Sequence, residues 1–288
     1  MDVTTTAQRD AAETVSADFA IAGVAANVRA PESVMSILER TLAHSRATSP
    51  HADPPVAISV TNDRFVWRID GGSHGSGKVL SATSALPQVA GAVASSLIAD
   101  VAEHAKLTVW RAAVVERDGH AVAFVGDDWE SGLVLACHLH ARGWRLLGGD
   151  YALIERDTLT VRPTKKHLYA TLSIMDELPN TYRRAVEVSP WYSTPHGLAF
   201  YAVDPALVHS TPPWAESGRL RAVLKLDGHA AEFPSLERAE SFKLAGGITS
   251  DELERESVAI AELQLGDYAL TSDLVQRWFC SLVSGEGR

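Results

Sequence analysis

Cysteine is nearly absent: Cys137 and Cys280 are the two that 288 residues contain, and they lie far apart in the chain. Neither a disulfide framework nor a cysteine zinc site is indicated, and a reducing compartment fits. Positive charge is also scarce. Against 36 Asp and Glu there are 26 Lys and Arg, a formal net charge of -10 with no basic cluster to offset it, so the electrostatic footprint of a nucleic-acid partner is missing. Long apolar runs are lacking too. The most apolar stretch, residues 89–102, is rich in Ala and Ser and falls short of the roughly 20 residues that span a bilayer. The first twenty residues carry Asp2, Asp10, Glu13 and Asp18 without a basic start and an apolar stretch behind it, which points away from a secretory signal. A cytoplasmic protein without a membrane partner is expected. No internal repeat or low-complexity tract stands out. What is present, 46% hydrophobic and 22% charged residues with 20 Gly and 13 Pro, is the composition of an ordinary folded protein, long enough for one large domain or two smaller ones.

Read in order, residues 1–17 are polar and lack a sustained apolar period, so a flexible lead-in is expected before a first strand over 19–24. Pro31 opens an amphipathic helix with Val34, Ile37, Leu38, Thr41 and Leu42 on one face. Residues 56–60 and 65–69 read as a hairpin that turns at Asn62-Asp63 and buries Phe65, Trp67 and Ile69. A second helix from Pro87 repeats Val89, Val93, Leu97 and Val101, with small residues between them that allow close packing. These elements make up an N-terminal α+β subdomain over 18–105. Over 106–288 the grammar changes to strands at 106–116 and 121–125, a helix at 131–142 closed by Gly143, and strands at 144–147, 151–154, 198–203 and 220–226. Thr249 with Glu252 forms a capping box, and residues 270–283 carry the last helical period.

Two motifs share one loop. Gly72 to Lys78 spells G-x-x-x-x-G-K, with Val79 where a phosphate loop has Ser or Thr. Gly71-Gly72-Ser73-His74-Gly75 spells a nucleophile elbow. Both need a buried strand before and a helix directly after, whereas residues 79–83 read as a strand. A glycine-rich hairpin loop is the expectation.

Ala112-Ala113-Val114-Val115, the strand 122–125 with Gly126, the helix ending Ala141-Arg142-Gly143-Trp144, and Arg145-Leu146-Leu147-Gly148-Gly149-Asp150-Tyr151 together resemble the core of HPr kinase/phosphorylase-like proteins, whose fold is similar to that of phosphoenolpyruvate carboxykinase. Residues 200–205 and 219–226 are similar to the family's downstream strands. The resemblance covers 106–226 and, weakly, the first hundred residues, and it implies an α/β (α+β) fold: a mixed sheet with flanking helices and a phosphate loop after the strand 122–125. In this chain the loop is degenerate. With Gly126 as the first glycine, Asp127, Asp128, Trp129 and Glu130 fill the variable positions, Ser131 takes the second glycine, Gly132 the lysine and Leu133 the hydroxyl. Up to three carboxylates then stand where a polyphosphate would sit, and at about 5 Å each carboxylate–phosphate charge pair costs roughly 3 kcal/mol at an effective dielectric near 20. Asp150 alone remains of the family's paired magnesium acids, and Arg111 replaces the family's His.

Neither catalytic residues nor a cofactor or metal are therefore expected. Asp127, Asp128 and Glu130 read as caps of the helix that follows, and Asp150 as a turn acid. His138 and His140 point to different sides of their helix, and Lys165-Lys166 and Arg183-Arg184 read as solvated faces. The resemblance implies a pseudokinase-like peptide-binding protein, of the kind that holds or presents a precursor peptide in ribosomal peptide natural product (RiPP) biosynthesis, as in the crocagin pathway, with a downstream modifying enzyme as a further partner. Peptide capture needs a strand edge or a groove with aromatic anchors, for which Trp129, Trp191, Tyr192 and Trp214 are the candidates, the last three in segments read as loops. The alternative is a kinase of a peptide or a small hydroxylated substrate, using Asp150 for metal and Lys165 or Arg184 for phosphate. The resemblance also implies a homodimer, and the small-residue helix at 89–101 is compatible with an oligomeric scaffold.

Overall fold

Alternating burial along its strands, which lie between Thr14 and Ser81, builds a five-stranded sheet in the order β1-β2-β3-β4-β5. The computed structural model describes residues 13–49, 53–63, 66–71, 77–81, 83–193, 199–209, 211–227, 234–239 and 248–284. β1 (Thr14–Ile21) and β2 (Val24–Pro31) form a hairpin that turns at Ala22 and Gly23, with φ of 51° and 82°. A strand thus begins inside the expected lead-in, and the strand expected over 19–24 is two strands folded back on each other. Ala-Gly is a weaker turn signal than the Asn-Gly or Asp-Gly that favours two positive φ values. Helix α1 (Glu32–Thr41) crosses over to β3 (Val56–Asn62), which runs parallel to β2, and β4 (Val66–Gly71) and β5 (Lys78–Ser81) complete the sheet. Phe65 and residues 72–76, with Ser73 and most of the glycine-rich loop, lie outside the described residues; Lys78 begins a strand, not a helix. α2 (Leu86–His104) lays Val89, Val93, Leu97 and Val101 against Phe19, Val28, Ile58 and Trp67 of this sheet. Its apolar face is spent inside its own chain.

The remaining residues form a mixed α/β core. Its strands are β6 (Leu107–Trp110), β7 (Ala113–Arg117), β8 (His120–Val125), β9 (Arg145–Gly148), β10 (Ala152–Glu155) and β11 (Thr160–Arg162). A small antiparallel sheet adds β12 (Leu168–Thr171), β13 (Trp191–Ser193) and β14 (Ala199–Val203), before β15 (Gly218–Asp227), β16 (Ser235–Arg238) and β17 (Ala259–Gln264) return to the large one. Helices α3 (Trp129–His140), α4 (Asn180–Glu187), α5 (Ser250–Arg255) and α6 (Tyr268–Ser284) flank the sheets. The large sheet runs β6-β10-β11-β15-β8-β7-β9, and β17 joins the far half of β15 with β16 beyond it. β15 is parallel to β8 and to β17; the other pairings are antiparallel.

The strand expected over 106–116 breaks at Arg111-Ala112, because its halves have different partners: β6 pairs with β10, and β7 with β8 and β9. α3 packs on the sheet and against α6 through Leu133, Leu139, Trp144 and Phe279, with the Trp144 and Phe279 ring centroids 5.0 Å apart. Fully burying one such side chain stabilises by about 1.5–3 kcal/mol. The Thr249 and Glu252 capping box opens α5 as the sequence predicts: the Glu252 N–H donates to the Thr249 hydroxyl at 3.2 Å and the Thr249 N–H to the Glu252 carboxylate at 2.7 Å. Among the described residues no helix is long and apolar enough to cross a membrane.

Candidate functional site: the altered phosphate loop and its acidic cavity

β8 ends in mid-sheet beside β15, and three residues, 126–128, carry the chain into α3. Strand, short loop and helix N-terminus are therefore placed as a phosphate site requires. Gly126 is held by close packing: a Cβ there would lie 3.3 Å from both Cβ and O of Leu226 on β15. Asp128 caps α3, accepting the Glu130 N–H at 3.0 Å through Oδ1 and the Ser131 hydroxyl at 2.5 Å through Oδ2. The Tyr268 hydroxyl donates in turn to Ser131 Oγ at 2.8 Å, and burial pushes this phenol up to about 12, so it stays a donor at neutral pH. Glu130 turns to the other side and accepts from the hydroxyls of Thr171 and Ser173. α3 starts two residues before the expected 131, as the cap dictates.

The positions that would carry phosphate chemistry are filled with core. A Cβ on Gly132 would sit 3.5 Å from Phe124 Cβ and 3.6 Å from Ala113 Cβ, facing the sheet, and Leu133 is 1% exposed. Gly149 stands where the family resemblance puts the second magnesium acid, and any side chain there would meet Leu168 Cδ2 at 2.5 Å. Asp150 accepts from the Lys166 ammonium in a close ion pair. Lys166 is not the solvated cation expected from its sequence context. It is 4% exposed, and its Nζ lies 4.7 Å from the ring centroid of Tyr169 and 5.4 Å from that of Tyr151. Burial is the largest influence and works against this ammonium, but Asp150, Tyr169 and Tyr151 together hold the group above its ordinary value.

The other cations are also engaged or distant from the loop. Lys165 pairs with Glu216 at 3.2 Å, Arg183 Nε donates to the Leu178 carbonyl at 2.8 Å, and Arg184 is exposed on α4. Lys225 pairs on β15 with Val125 at the end of β8, and its ammonium donates to Glu262 at 2.7 Å. The residues present do not fit magnesium and nucleotide: the lysine and hydroxyl positions are sealed, and Asp150 is neutralised.

In front of α3 lies a cavity of about 740 Å³, bounded by the segments around 173–183 and 265–269. Asp128, Glu130, Asp176, Glu177 and Asp267 line it, against Arg183 and His138. Leu178, Pro179 and Tyr268 supply apolar wall. His138 Nε2 donates to the Glu177 carbonyl at 2.8 Å and its ring stacks on Tyr268, with desolvation lowering its pKa. His140, on the other side of the helix, is buried against the Tyr182 hydroxyl at 2.7 Å.

None of the four expected aromatic anchors is among the residues lining this cavity. Trp129 is partly buried on the core. Trp191 is 63% exposed and Tyr192 rests on Phe200 with ring centroids 5.6 Å apart, both in strand β13 rather than in a loop. Trp214 is 6% exposed and bridges to Leu146 beside β9, so it offers no face to a ligand. Tyr268, Asp267 and the wall leading into α4 went unnoticed in the sequence. The available signal was Pro179 followed by Tyr182, Ala185 and Val186 at helical spacing.

No family model matches this chain, and no curated protein matches it. Among solved structures, the HPr(Ser) kinase/phosphatase from Coxiella burnetii is similar at 11% identity, over 62% of this chain and 94% of that chain, with a TM-score of 0.33.

Proposed function

We propose that this chain is a non-catalytic binding protein that holds a polypeptide through a basic segment seated in the acidic cavity at the N-terminus of α3. The observation that carries the reading is the redeployment of the loop: Asp128 and Glu130 serve as cap and cavity wall where a nucleotide site needs a cationic cradle. A helix N-terminus favours anions, but these carboxylates already occupy that field and leave a negative, partly apolar pocket that a Lys or Arg side chain complements in both stem and head. The class of ligand, a precursor peptide of the ribosomal natural-product type, comes from the family resemblance; the pocket supplies the chemistry of its contact.

Calorimetry with ATP and magnesium, beside fluorescence anisotropy with labelled peptides, tests this. Nucleotide is expected to give no heat of binding. Peptides rich in Lys and Arg are expected to bind in a salt-sensitive way, acidic peptides of equal length not at all, and Asp176→Lys with Glu177→Lys to abolish the binding. Micromolar affinity for ATP, or indifference of the peptide to the two charge reversals, overturns the proposal.

A further inference from the structure

A second cluster of chemistry-bearing side chains lies where the N-terminal unit meets the core, away from the altered loop. His44 sits in the 3₁₀ turn Ala43–Ser45 that follows α1, His167 directly precedes β12, and Asp204 directly follows β14. The register fixes the last two, because Leu168 pairs with Val203 and the next residues outward are His167 and Asp204. The first is docked onto them by three bonds between the units: the His167 N–H donates to the Thr41 carbonyl at 2.7 Å, Ser45 Oγ to the Thr164 carbonyl at 3.2 Å, and the Thr41 and Tyr169 hydroxyls meet at 3.0 Å. The result is a side-chain trio with one ligand atom from each residue, all within 4.8 Å of one another.

We propose that His44, His167 and Asp204 form a mononuclear site for a divalent transition-metal ion of the zinc class. His44 Nε2 lies 2.7 Å from Asp204 Oδ1, and His167 Nε2 lies 3.7 Å from Asp204 Oδ2. The two contacts reach different oxygens of Asp204, the first as a hydrogen bond, so an ion would replace that bond and draw the three ligand atoms in from within 4.8 Å to the roughly 3.3 Å of a tetrahedral zinc with bonds near 2.0–2.1 Å. The independent observation is His167: 8% exposed, it has neither ring nitrogen hydrogen-bonded among the described residues. Buried polar groups are mostly paired, and among the unpartnered ones in the described residues His167 is the residue with two such atoms and faces a carboxylate and a second imidazole, an arrangement that an ion would satisfy. Two nitrogens and one carboxylate select zinc, cobalt, nickel or iron over magnesium and calcium, which need oxygen cages. Asp204 is already oriented, since its Oδ1 also accepts the Ala206 N–H at 2.9 Å. His44 and Asp204 remain 27% and 28% exposed, which leaves the fourth position open to water or to a ligand that coordinates through it. The ion would tie the turn after α1 to the small sheet.

The test is titration of chelator-treated full-length protein with Co²⁺ followed by its visible absorption, then with Zn²⁺ followed by calorimetry and melting. The expected result is one ion per chain, the intense d–d bands of four-coordinate cobalt, their loss on zinc addition, and a Tm about 5 °C higher at free zinc a hundred times its Kd. Asp204→Asn keeps the backbone cap and removes the charge; His44→Asn changes a part-exposed residue. Each is expected to weaken binding by more than the roughly 10- to 100-fold that loss of an outer-shell contact costs. His167→Gln is expected to do the same, and His209→Gln, outside the trio, to leave binding intact. Absence of the cobalt bands, or retention of wild-type affinity in folded Asp204→Asn and His44→Asn, overturns the proposal.

Discussion

Removing the Asp150 carboxylate isolates a buried cation, and the cost can be worked from its surroundings. The Lys166 side chain is 5% exposed and that of Asp150 24%, so the ammonium cannot reach water while the carboxylate partly can. Their attraction is of order 4 kcal/mol at contact and an effective dielectric near 20, and breaking such a pair from one side costs about 3–5 kcal/mol. The Tyr151 and Tyr169 rings offset a fraction of that, since a desolvated cation–π contact is worth about 1–2 kcal/mol. Asp150→Ala is therefore expected to lose about 3 kcal/mol, read as a lower urea midpoint at unchanged m. Lys166→Met alone leaves a carboxylate that water still reaches and loses less. The double variant recovers most of the loss, giving a coupling energy of about 2–3 kcal/mol. The pH dependence supplies a second arm. Without its partner, Lys166 in the folded state gives up its proton below the roughly 10.4 of the unfolded chain. The unfolded state then binds more protons over that interval, and Asp150→Ala gains stability relative to wild type as pH rises. A loss under about 1 kcal/mol, or additive single variants, would refute the view of Asp150 as a counter-ion, and the magnesium role would regain its claim.

Two further outcomes follow from the same physics. His140 is held at about 4 by desolvation against 6.5 as its ordinary value. The unfolded chain takes the proton first, so stability is full above pH 6.5, declines as pH falls toward 4 and levels off below, a span worth roughly 3 kcal/mol. Urea unfolding across that range should show a slope that His140→Gln flattens, and identical profiles would remove His140 as the source. Asp128→Ala loses the α3 cap and is expected to cost about 1 kcal/mol, with Asp128→Asn recovering most of the melting temperature; if Asp128→Ala instead creates ATP binding, the acids act as a gate rather than as structure.

Local signals carried much of the fold. Val89, Val93, Leu97 and Val101 mark α2 because a 3.6-residue period survives any tertiary context, and Thr249 with Glu252 marks α5 because a capping box is made within four residues. The loop after β8 was legible in part for the same reason: of its three acids Asp128 caps the helix it precedes, whereas Glu130 lies inside the first turn and accepts from Thr171 and Ser173. What escaped depends on partners distant in the chain. Nothing local tells that Lys166 turns inward to Asp150 while Lys165 stays on the surface with Glu216, or that Trp214 is buried while Trp191 is exposed. Trp191 and Tyr192 became a strand only because Phe200 and Tyr201 lie alongside to accept them. α4 carries a short signal, Pro179 followed by Tyr182, Ala185 and Val186, and what the sequence does not give is the anchor of Tyr182, which is His140 from α3. The cavity belongs to no single segment, which is why its lining was invisible in one dimension.

The burial of Trp214 bears on how the molecule behaves at high concentration. β9 is the last strand of the large sheet, and its outer row of amides would offer a template to a neighbouring copy. The Leu146 N–H donates instead to the Pro213 carbonyl at 2.7 Å and the Ala215 N–H to the Leu146 carbonyl at 2.9 Å, so an irregular segment with proline at its head occupies the edge at Leu146, the middle of the strand. Fibril growth by lateral addition is blocked at this border, and the tryptophan that a ligand cannot reach is the pin that keeps the blocking segment in place.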